Sequence, residues 1–346
     1  MQRLRYWLPL LAALAACKPD PQPDPKLLPY LPQTPAHFPP LPVPADNPMT
    51  LARVELGKAL FYDPLLSRDR SISCASCHLP ELSFSDPNRV SIGVQGRTGT
   101  RNAPALINLA YHTSFFWDGS NPALETQALF PIEAHVEMDL PVDSVVARLR
   151  AHPSYPERFI YAFSDSALTI KSVTDAIASF ERTLLSYGSK YDRFIERGFD
   201  STLFTPAEWR GYKLFFAEKG ERHAECFHCH GGYNFDEPEG KFRNNGLYYF
   251  YEDPGRYLVT GNQLDVGKFK VPTLRNLSFT APYMHDGSLS TLEEVVAHYA
   301  SGGQPHLNRD ILMDNILITA QDQADIIAFL MTLNDTAFVQ NPAFRP

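Results

Sequence analysis

The run Cys74-Ala75-Ser76-Cys77-His78 determines how this chain is organised, and the same Cys-x-x-Cys-His pattern occurs again at Cys226-Phe227-His228-Cys229-His230. In a C-x-x-C-H run two thiols form thioethers with a porphyrin and the next imidazole ligates its iron, which is the attachment signature of a c-type haem. Two copies predict two haem c groups. A four-Cys zinc site or two disulfides would also use these thiols, but neither explains a histidine after both pairs. The predicted haem-binding residues are Cys74, Cys77, His78, Cys226, Cys229 and His230.

The first 16 residues are typical of an export signal. Arg3 and Arg5 precede an apolar stretch from Tyr6 to Leu14, which is too short to be a stable transmembrane helix. The following small residues end in Cys17, and this ending resembles the bacterial lipobox, whose cysteine is lipidated. We therefore predict a signal peptide over residues 1–16 and an exported, periplasmic protein held to the membrane only by a lipid on Cys17. An ordinary cleavage site followed by an unrelated cysteine is the alternative.

Proline dominates the next stretch, residues 17–48. Twelve of the 31 residues from Lys18 to Pro48 are proline, which excludes a helix or a central strand. We predict a stiff, extended tether there. The remaining length and the two haem motifs predict two domains, an N-terminal one over residues 49–200 and a C-terminal one over residues 201–346.

The charge of the chain is acidic. The formal net charge is −8, and removal of Arg3 and Arg5 with the signal leaves 39 acidic against 29 basic residues, or about −10. Nucleic acid is therefore excluded as an expected partner, whereas a small basic electron-transfer protein would be attracted.

A weak internal repeat predicts the fold class. Apolar residues at helical spacing precede both haem motifs, at residues 55–61 and 209–215. Each half also ends in a predicted amphipathic helix, from Val173 to Leu185 and from Gln321 to Leu333. Since little of the sequence alternates as strands do, we expect an all-α, mostly helical protein with two cytochrome c-like domains.

Several further stretches make a resemblance specific. They are Arg101-Asn102-Ala103-Pro104, Phe116-Trp117-Asp118-Gly119, Val136-Glu137-Met138, Val271-Pro272-Thr273-Leu274-Arg275-Asn276 and Thr280-Ala281-Pro282-Tyr283-Met284-His285-Asp286-Gly287. In these stretches and their order, from about residue 49 to about residue 335, the chain resembles the bacterial dihaem cytochrome c peroxidases and their MauG relatives. In that family the N-terminal haem reacts with hydrogen peroxide, the C-terminal haem accepts electrons, and a tryptophan and a calcium ion lie between them.

The resemblance implies the parts of the N-terminal site. Glu137 matches the glutamate that moves a proton between the peroxide oxygens, Pro131 matches a position that shapes access, and Trp117 matches the tryptophan between the haems. Typical members cover the resting iron with a histidine from a Ser-x-Gly-His segment, but here the residue is Val94. We therefore expect an open N-terminal iron, unless His112 or His135 replaces the missing ligand.

At the C-terminal haem the resemblance places Tyr299 where peroxidases have a methionine ligand and MauG-type enzymes a tyrosine. A phenolate ligand favours the oxidised iron and lowers the reduction potential relative to methionine. Tyr299 could instead be a packed helix residue, with His298 or Met284 as the ligand. A MauG surface tryptophan that relays electrons is replaced by Ala224.

The family's calcium ligands fall on Asn102, Thr280 and Pro282, which would otherwise be ordinary loop residues. Three functions follow from the resemblance. The first is reduction of hydrogen peroxide with electrons from a periplasmic cytochrome c or similar donor. The second is MauG-like oxidation of tryptophan or tyrosine on a partner protein. The third is electron transfer without catalysis. Family members are often homodimers, but no interface can be recognised in the sequence.

Overall fold

Helices form most of the regular structure, as predicted, and the main ones begin where the sequence supplies a cap. The computed structural model describes residues 24–164, 168–218, 222–237 and 240–346. The side chains of Thr50, Thr205 and Thr319 each accept a hydrogen bond from a first-turn backbone N–H. The helices are α1 (Leu51–Tyr62), α2 (Leu124–Gln127), α3 (Leu129–Glu133), α4 (Val142–Ala151), α5 (Tyr155–Phe163), α6 (Ile170–Glu181), α7 (Lys190–Glu196), α8 (Pro206–Phe215), α9 (Tyr257–Thr260), α10 (Leu292–Ala300), α11 (Ala320–Met331) and α12 (Thr336–Val339). Strands β1 (Phe242–Arg243) and β2 (Phe269–Lys270) pair antiparallel.

The internal repeat corresponds to two pairs of packed helices, α1 with α6 and α8 with α11. Both pairs contain a glycine at the point of closest approach. A Cβ on Gly57 would lie 1.8 Å from the carbonyl oxygen of Ala176, and one on Gly211 would lie 1.9 Å from that of Asp325. The two closing helices, α6 and α11, begin earlier than predicted because each starts at a capping box, and they also end earlier than predicted.

The apolar cores do not follow the predicted boundary between residues 200 and 201. Helix α7 precedes this boundary, yet its Tyr191 and Phe194 belong to the core of the C-terminal half. In the opposite direction, the last apolar residues of the chain pack into the N-terminal half, where the ring of Phe338 lies 6.0 Å from that of Phe84. The two halves therefore exchange short apolar segments, which bury large aromatic rings at both crossings.

The described part of the proline-rich stretch, residues 24–48, lies against both halves instead of standing away from them. His37 Nε2 is 3.0 Å from a carboxylate oxygen of Asp192. The Phe38 side chain is 6% exposed, and the Arg275 guanidinium lies 5.1 Å from its ring centre. The neighbouring rings around Phe38 are Tyr111, Tyr187 and Tyr233. Proline fixes an extended backbone here, but the aromatic and charged residues between the prolines attach it.

The predicted signal peptide and Cys17 lie outside the described residues. Among the residues that are described, no helix combines the length and the apolar character needed to span a bilayer.

Candidate functional site

A continuous cavity of about 580 Å³ reaches both Cys-x-x-Cys-His motifs. Cys77 and His78 line one end, and Cys226, Cys229 and His230 line the other. Cys74, Cys77, Cys226 and Cys229 are all free thiols, so neither pair is closed as a disulfide. Within the described ranges no three Cys, His, Asp or Glu side chains gather as a metal site would require, so a four-Cys zinc site is not formed. Thiols and an imidazole at each end of a largely apolar cavity suit two covalently attached haems.

Both motif histidines are held in the tautomer that an iron ligand needs. His78 Nδ1 lies 2.8 Å from the carbonyl oxygen of Phe84, and His230 Nδ1 lies 3.3 Å from that of Phe235 and 3.2 Å from that of Pro272. Because a carbonyl oxygen only accepts, Nδ1 carries the proton and Nε2 keeps its lone pair for iron. Burial lowers the pKa of both imidazoles, that of His230 to about 4, so both are neutral near pH 7.

At the N-terminal end the cavity wall contains the predicted Glu137 and Pro131. Burial raises the pKa of the Glu137 carboxyl, which opens on the cavity. The backbone of Glu137 is held by the loop that contains Val94, since Val94 N–H donates to the Glu137 carbonyl oxygen at 2.9 Å. Gly93 permits this contact, because a Cβ there would lie 2.1 Å from the Val136 carbonyl oxygen. The segment that lacks the usual histidine therefore positions the glutamate.

The two histidines that could have replaced the missing ligand are held by other groups. The His135 side chain is 74% exposed and lies beside Asp139, away from the cavity wall. His112 borders the cavity, but its Nε2 lies 3.1 Å from the Asn234 amide and 3.2 Å from the Asp236 carboxylate, and its Nδ1 lies 3.3 Å from Lys270 Nζ. Neither ring offers a free nitrogen to the N-terminal haem.

Trp117 lies on the cavity wall and ties the two halves together. Its Nε1–H donates to the carbonyl oxygen of Asn102 at 2.8 Å, and its own carbonyl oxygen accepts from Lys270 N–H at 2.7 Å. Lys270 belongs to β2 in the C-terminal half. The indole is therefore fixed to the N-terminal half, and the backbone of the same residue is bonded to the C-terminal half, at the cavity between the two motifs.

At the C-terminal end Tyr299 and Met284 line the cavity, whereas His298 does not. His298 Nε2 lies 3.0 Å from the carbonyl oxygen of Asn245, so its ring is bonded away from the cavity. Asn245 lies beside both remaining candidates, since its amide nitrogen is 3.4 Å from the Met284 sulfur and its side chain influences the Tyr299 phenol. Burial raises the pKa of Tyr299 to about 12, although the Asn245 side chain opposes this shift.

Comparison with known proteins places these features in a family. A family model described as di-haem cytochrome c peroxidase matches residues 51–199. The methylamine utilization protein MauG of Methylorubrum extorquens is 38% identical over 306 residues, which cover 85% of this chain and 81% of that protein. The chain belongs to the di-haem cytochrome c peroxidase family. Another member, the cytochrome c551 peroxidase of Nitrosomonas europaea, is 37% identical over 302 residues, or 86% of this chain and 84% of that protein.

A solved structure agrees with this assignment. The crystal structure of a MauG-like protein associated with microbial copper homeostasis superposes with a TM-score of 0.83 at 38% identity, covering 91% of this chain and 99% of that chain. The predicted resemblance, the mostly helical fold with two haem c groups and the peroxide-dependent oxidoreductase class are thereby confirmed.

Two residues of this peroxidase-family cavity were missed from the sequence. Gln127 lines the N-terminal end together with Pro131. The available signal was their spacing of four, which places both on one side of consecutive helical turns. Asn245, beside Tyr299, comes from a loop more than fifty residues away in the sequence, so no local pattern could have identified it.

Proposed function

We propose that this protein is a dihaem peroxidase that reduces hydrogen peroxide to water with electrons from a periplasmic donor such as a cytochrome c. In this proposal the N-terminal half is peroxidatic and the C-terminal half receives electrons. The observation that carries it is the Glu137 carboxyl on the wall of the cavity that His78 enters, with Val94 instead of a histidine beside it. A haem bound through His78 would supply the iron that passes two electrons to peroxide.

The residues of the chain would manage protons and access around that iron. Glu137 would take the proton from the near peroxide oxygen and deliver it to the far one, which leaves as the first water. Two donor electrons and two protons from solvent would then convert the near oxygen into the second water. Burial suits this group, because it raises the pKa of the carboxyl toward the pH at which the enzyme works, where a group can both take up and release a proton. Pro131 and Gln127 would restrict and orient the peroxide, and Trp117 would pass electrons between the haems.

Steady-state turnover tests the proposal. The purified holoenzyme, never reduced beforehand, is mixed with hydrogen peroxide and reduced cytochrome c, and both reactants are followed. We expect two equivalents of donor to be oxidised per peroxide consumed. Peroxide that persists unchanged beside a fully reduced donor would leave only the electron-carrier function.

Tyr299 is our proposed distal ligand of the C-terminal haem. It is supported by its place on the cavity wall and by the Asn245 amide, which would stabilise a phenolate. Replacement of Tyr299 by Phe should change the low-spin spectrum of that haem and raise its reduction potential, because a hard anionic oxygen is lost. Met284→Leu is the matched control, since it removes the other candidate on the same wall. An unchanged spectrum in Tyr299→Phe with a changed one in Met284→Leu would assign the sulfur instead.

A MauG-like oxidation of tryptophan or tyrosine on a partner protein is the second candidate. Val94 and Tyr299 favour it, and so does the likeness to proteins named MauG or MauG-like. Ala224 argues against the MauG route, because it is 2% exposed and supplies no oxidisable side chain.

We further propose a calcium ion held by Asn102, Thr280 and Pro282. All three residues line the cavity. In the described part of the chain, no hydrogen-bond donor reaches the Asn102 side-chain oxygen or the carbonyl oxygens of Thr280 and Pro282, and such oxygens suit calcium. The ion would fix Asn102, whose carbonyl oxygen holds Trp117. Metal analysis of the purified holoenzyme checks the site.

Export and a lipid anchor at Cys17 remain part of the proposal, because haem c attachment occurs outside the bacterial cytoplasm. The lipobox-like ending at Cys17 supports the anchor. The mass of the mature N-terminal peptide checks it.

A further inference from the structure

Two tyrosines connect the haem cavity with the surface of the C-terminal half. Tyr251 is 5% exposed, and its ring lies 6.2 Å from Phe269 and 6.4 Å from His285. Phe269 and His285 are stacked 3.7 Å apart and both line the cavity. The Tyr251 hydroxyl donates to the Asn244 side-chain oxygen at 2.8 Å, and Asn244 also lines the cavity. Tyr251 therefore contacts the cavity wall through three neighbours.

Tyr248 continues this contact outward. Its ring lies 5.8 Å from that of Tyr251, edge to face, and it is itself partly exposed. The next two residues, Tyr249 and Phe250, are 73% and 76% exposed. A path of ring contacts thus runs from the cavity through Tyr251 to Tyr248, at a part of the surface where further aromatic side chains reach solvent.

The Tyr248 hydroxyl is already bonded to a proton acceptor. It donates to the Asp286 carboxylate at 2.6 Å, and Arg89 holds the same oxygen at 3.2 Å. Burial alone would raise the pKa of Asp286, but the hydrogen bonds from Tyr248 and Ser288 lower it, so the carboxylate is ionised. Burial raises the pKa of Tyr248, which keeps its proton. Loss of an electron from a phenol requires loss of this proton, and Asp286 can receive it without any rearrangement.

Neither tyrosine has a role in the proposed chemistry, and packing alone would be met by phenylalanine. We propose that Tyr248 and Tyr251 form a pair that delivers single electrons from the surface to the haems during peroxide turnover: Tyr248 is oxidised, and the Tyr251 ring bridges it to the cavity wall. The proposal rests on the proposed peroxidase function. It also supplies an oxidisable route to the surface in a chain that has Ala224 at the MauG relay position.

The electrons and protons balance as follows. Hydrogen peroxide takes up two electrons and two protons and leaves as two waters. Tyr248 returns one electron to the haem pair across the ring of Tyr251, which keeps its own proton, and the Tyr248 hydroxyl proton moves to the Asp286 carboxylate. A neutral tyrosyl radical and a protonated Asp286 result, and one oxidising equivalent stays on the haems. A one-electron donor at the surface then reduces the radical, and Asp286 gives the proton back.

The test is low-temperature EPR of the holoenzyme frozen after one equivalent of hydrogen peroxide, with no donor present. The protein is grown with ring-deuterated tyrosine, which narrows a tyrosyl signal and no other. We expect a tyrosyl radical in the wild type, its loss in Tyr248→Phe, and its retention in Tyr251→Phe, which keeps the bridging ring, and in the control Tyr249→Phe. A signal that survives Tyr248→Phe, or one that disappears only in Tyr249→Phe, would overturn the proposal.

Two further measurements keep the outcome decisive. Peroxide consumption with reduced cytochrome c is recorded on the same samples: wild-type protein that consumes no peroxide refutes the peroxidase function, whereas consumption without a tyrosyl radical refutes the tyrosine pair alone. If a variant loses its haems and its EPR spectrum cannot be compared, the wild-type protein is treated with excess peroxide and its oxidised residues are identified by mass spectrometry. Oxidation products at Tyr248 support the pair, and products confined to the more exposed Tyr249 contradict it.

Discussion

The Glu137→Gln variant is expected to bind both haems normally and to cleave hydrogen peroxide about a hundredfold or more slowly than the wild type. Glutamine has nearly the same shape but cannot take and return a proton, and a positioned acid–base group contributes roughly 10²–10⁴-fold. The loss corresponds to about 3 kcal/mol of barrier or more. Stopped-flow mixing of the holoenzyme with peroxide, followed in the haem absorption bands, measures the rate directly.

The pH profile separates this role from a structural one. The working form of Glu137 is the carboxylate, and burial raises its pKa above that of an ordinary glutamate. The wild-type rate of peroxide cleavage should therefore be highest above this raised pKa and should fall as the pH drops through it. Glu137→Gln should lack this acidic limb. Glu133→Gln, an exposed change on α3 that does not line the cavity, is the control and should keep both rate and limb. Equal rates for all three proteins would remove Glu137 from the mechanism.

The Gly57→Ala variant is expected to be destabilised by about 2–3 kcal/mol, close to the upper range for overpacking. By helix propensity alone the change would stabilise α1 by about 1 kcal/mol. The clash outweighs the gain in helix propensity and makes the net change destabilising. The new Cβ would lie 1.8 Å from the Ala176 carbonyl oxygen, and a backbone atom in α6 cannot rotate away. The melting temperature should fall by about 5–10 °C, measured by circular dichroism on the holoprotein.

Glu55→Ala on the same helix is the matched control. Glu55 is on the surface and loses only a salt bridge to Lys26, which contributes at most about 1 kcal/mol. Gly211→Ala should repeat the Gly57 effect in the other half, against the Asp325 carbonyl oxygen at 1.9 Å. A Gly57→Ala protein as stable as Glu55→Ala would mean that α1 and α6 separate without loss.

The sequence predicts what is local and periodic. The Cys-x-x-Cys-His runs, the helices before them and the capped helices that close each half depend on neighbouring residues, so they could be recognised. The glycine contacts could not, because Gly57 meets Ala176 only after the two helices pack. The resemblance, rather than any pattern, pointed to Glu137 and Tyr299, which the structure brings to the two ends of one cavity.

Long-range contacts account for the features of the structure that the sequence did not predict. Within the described residues 24–48 the only helical element is a three-residue 3-10 turn, Pro25–Leu27, in agreement with the proline content, but composition does not show that Phe38 finds a pocket beside Arg275. The boundary at residue 200 was drawn from motif spacing, which is blind to the exchange of Tyr191 and Phe338 between cores. Tyr248 and Tyr251 have no motif, and their arrangement depends on Asp286 in a distant loop.

The attachment of residues 24–48 also fixes an order of assembly. A chain is synthesised from its N-terminus, so this segment exists before any other described part. Its contacts lie on Asp192 and Arg275, which are made much later. The first segment to emerge can therefore reach its final place only after most of the molecule has formed, and its seating marks the completion of folding rather than its start.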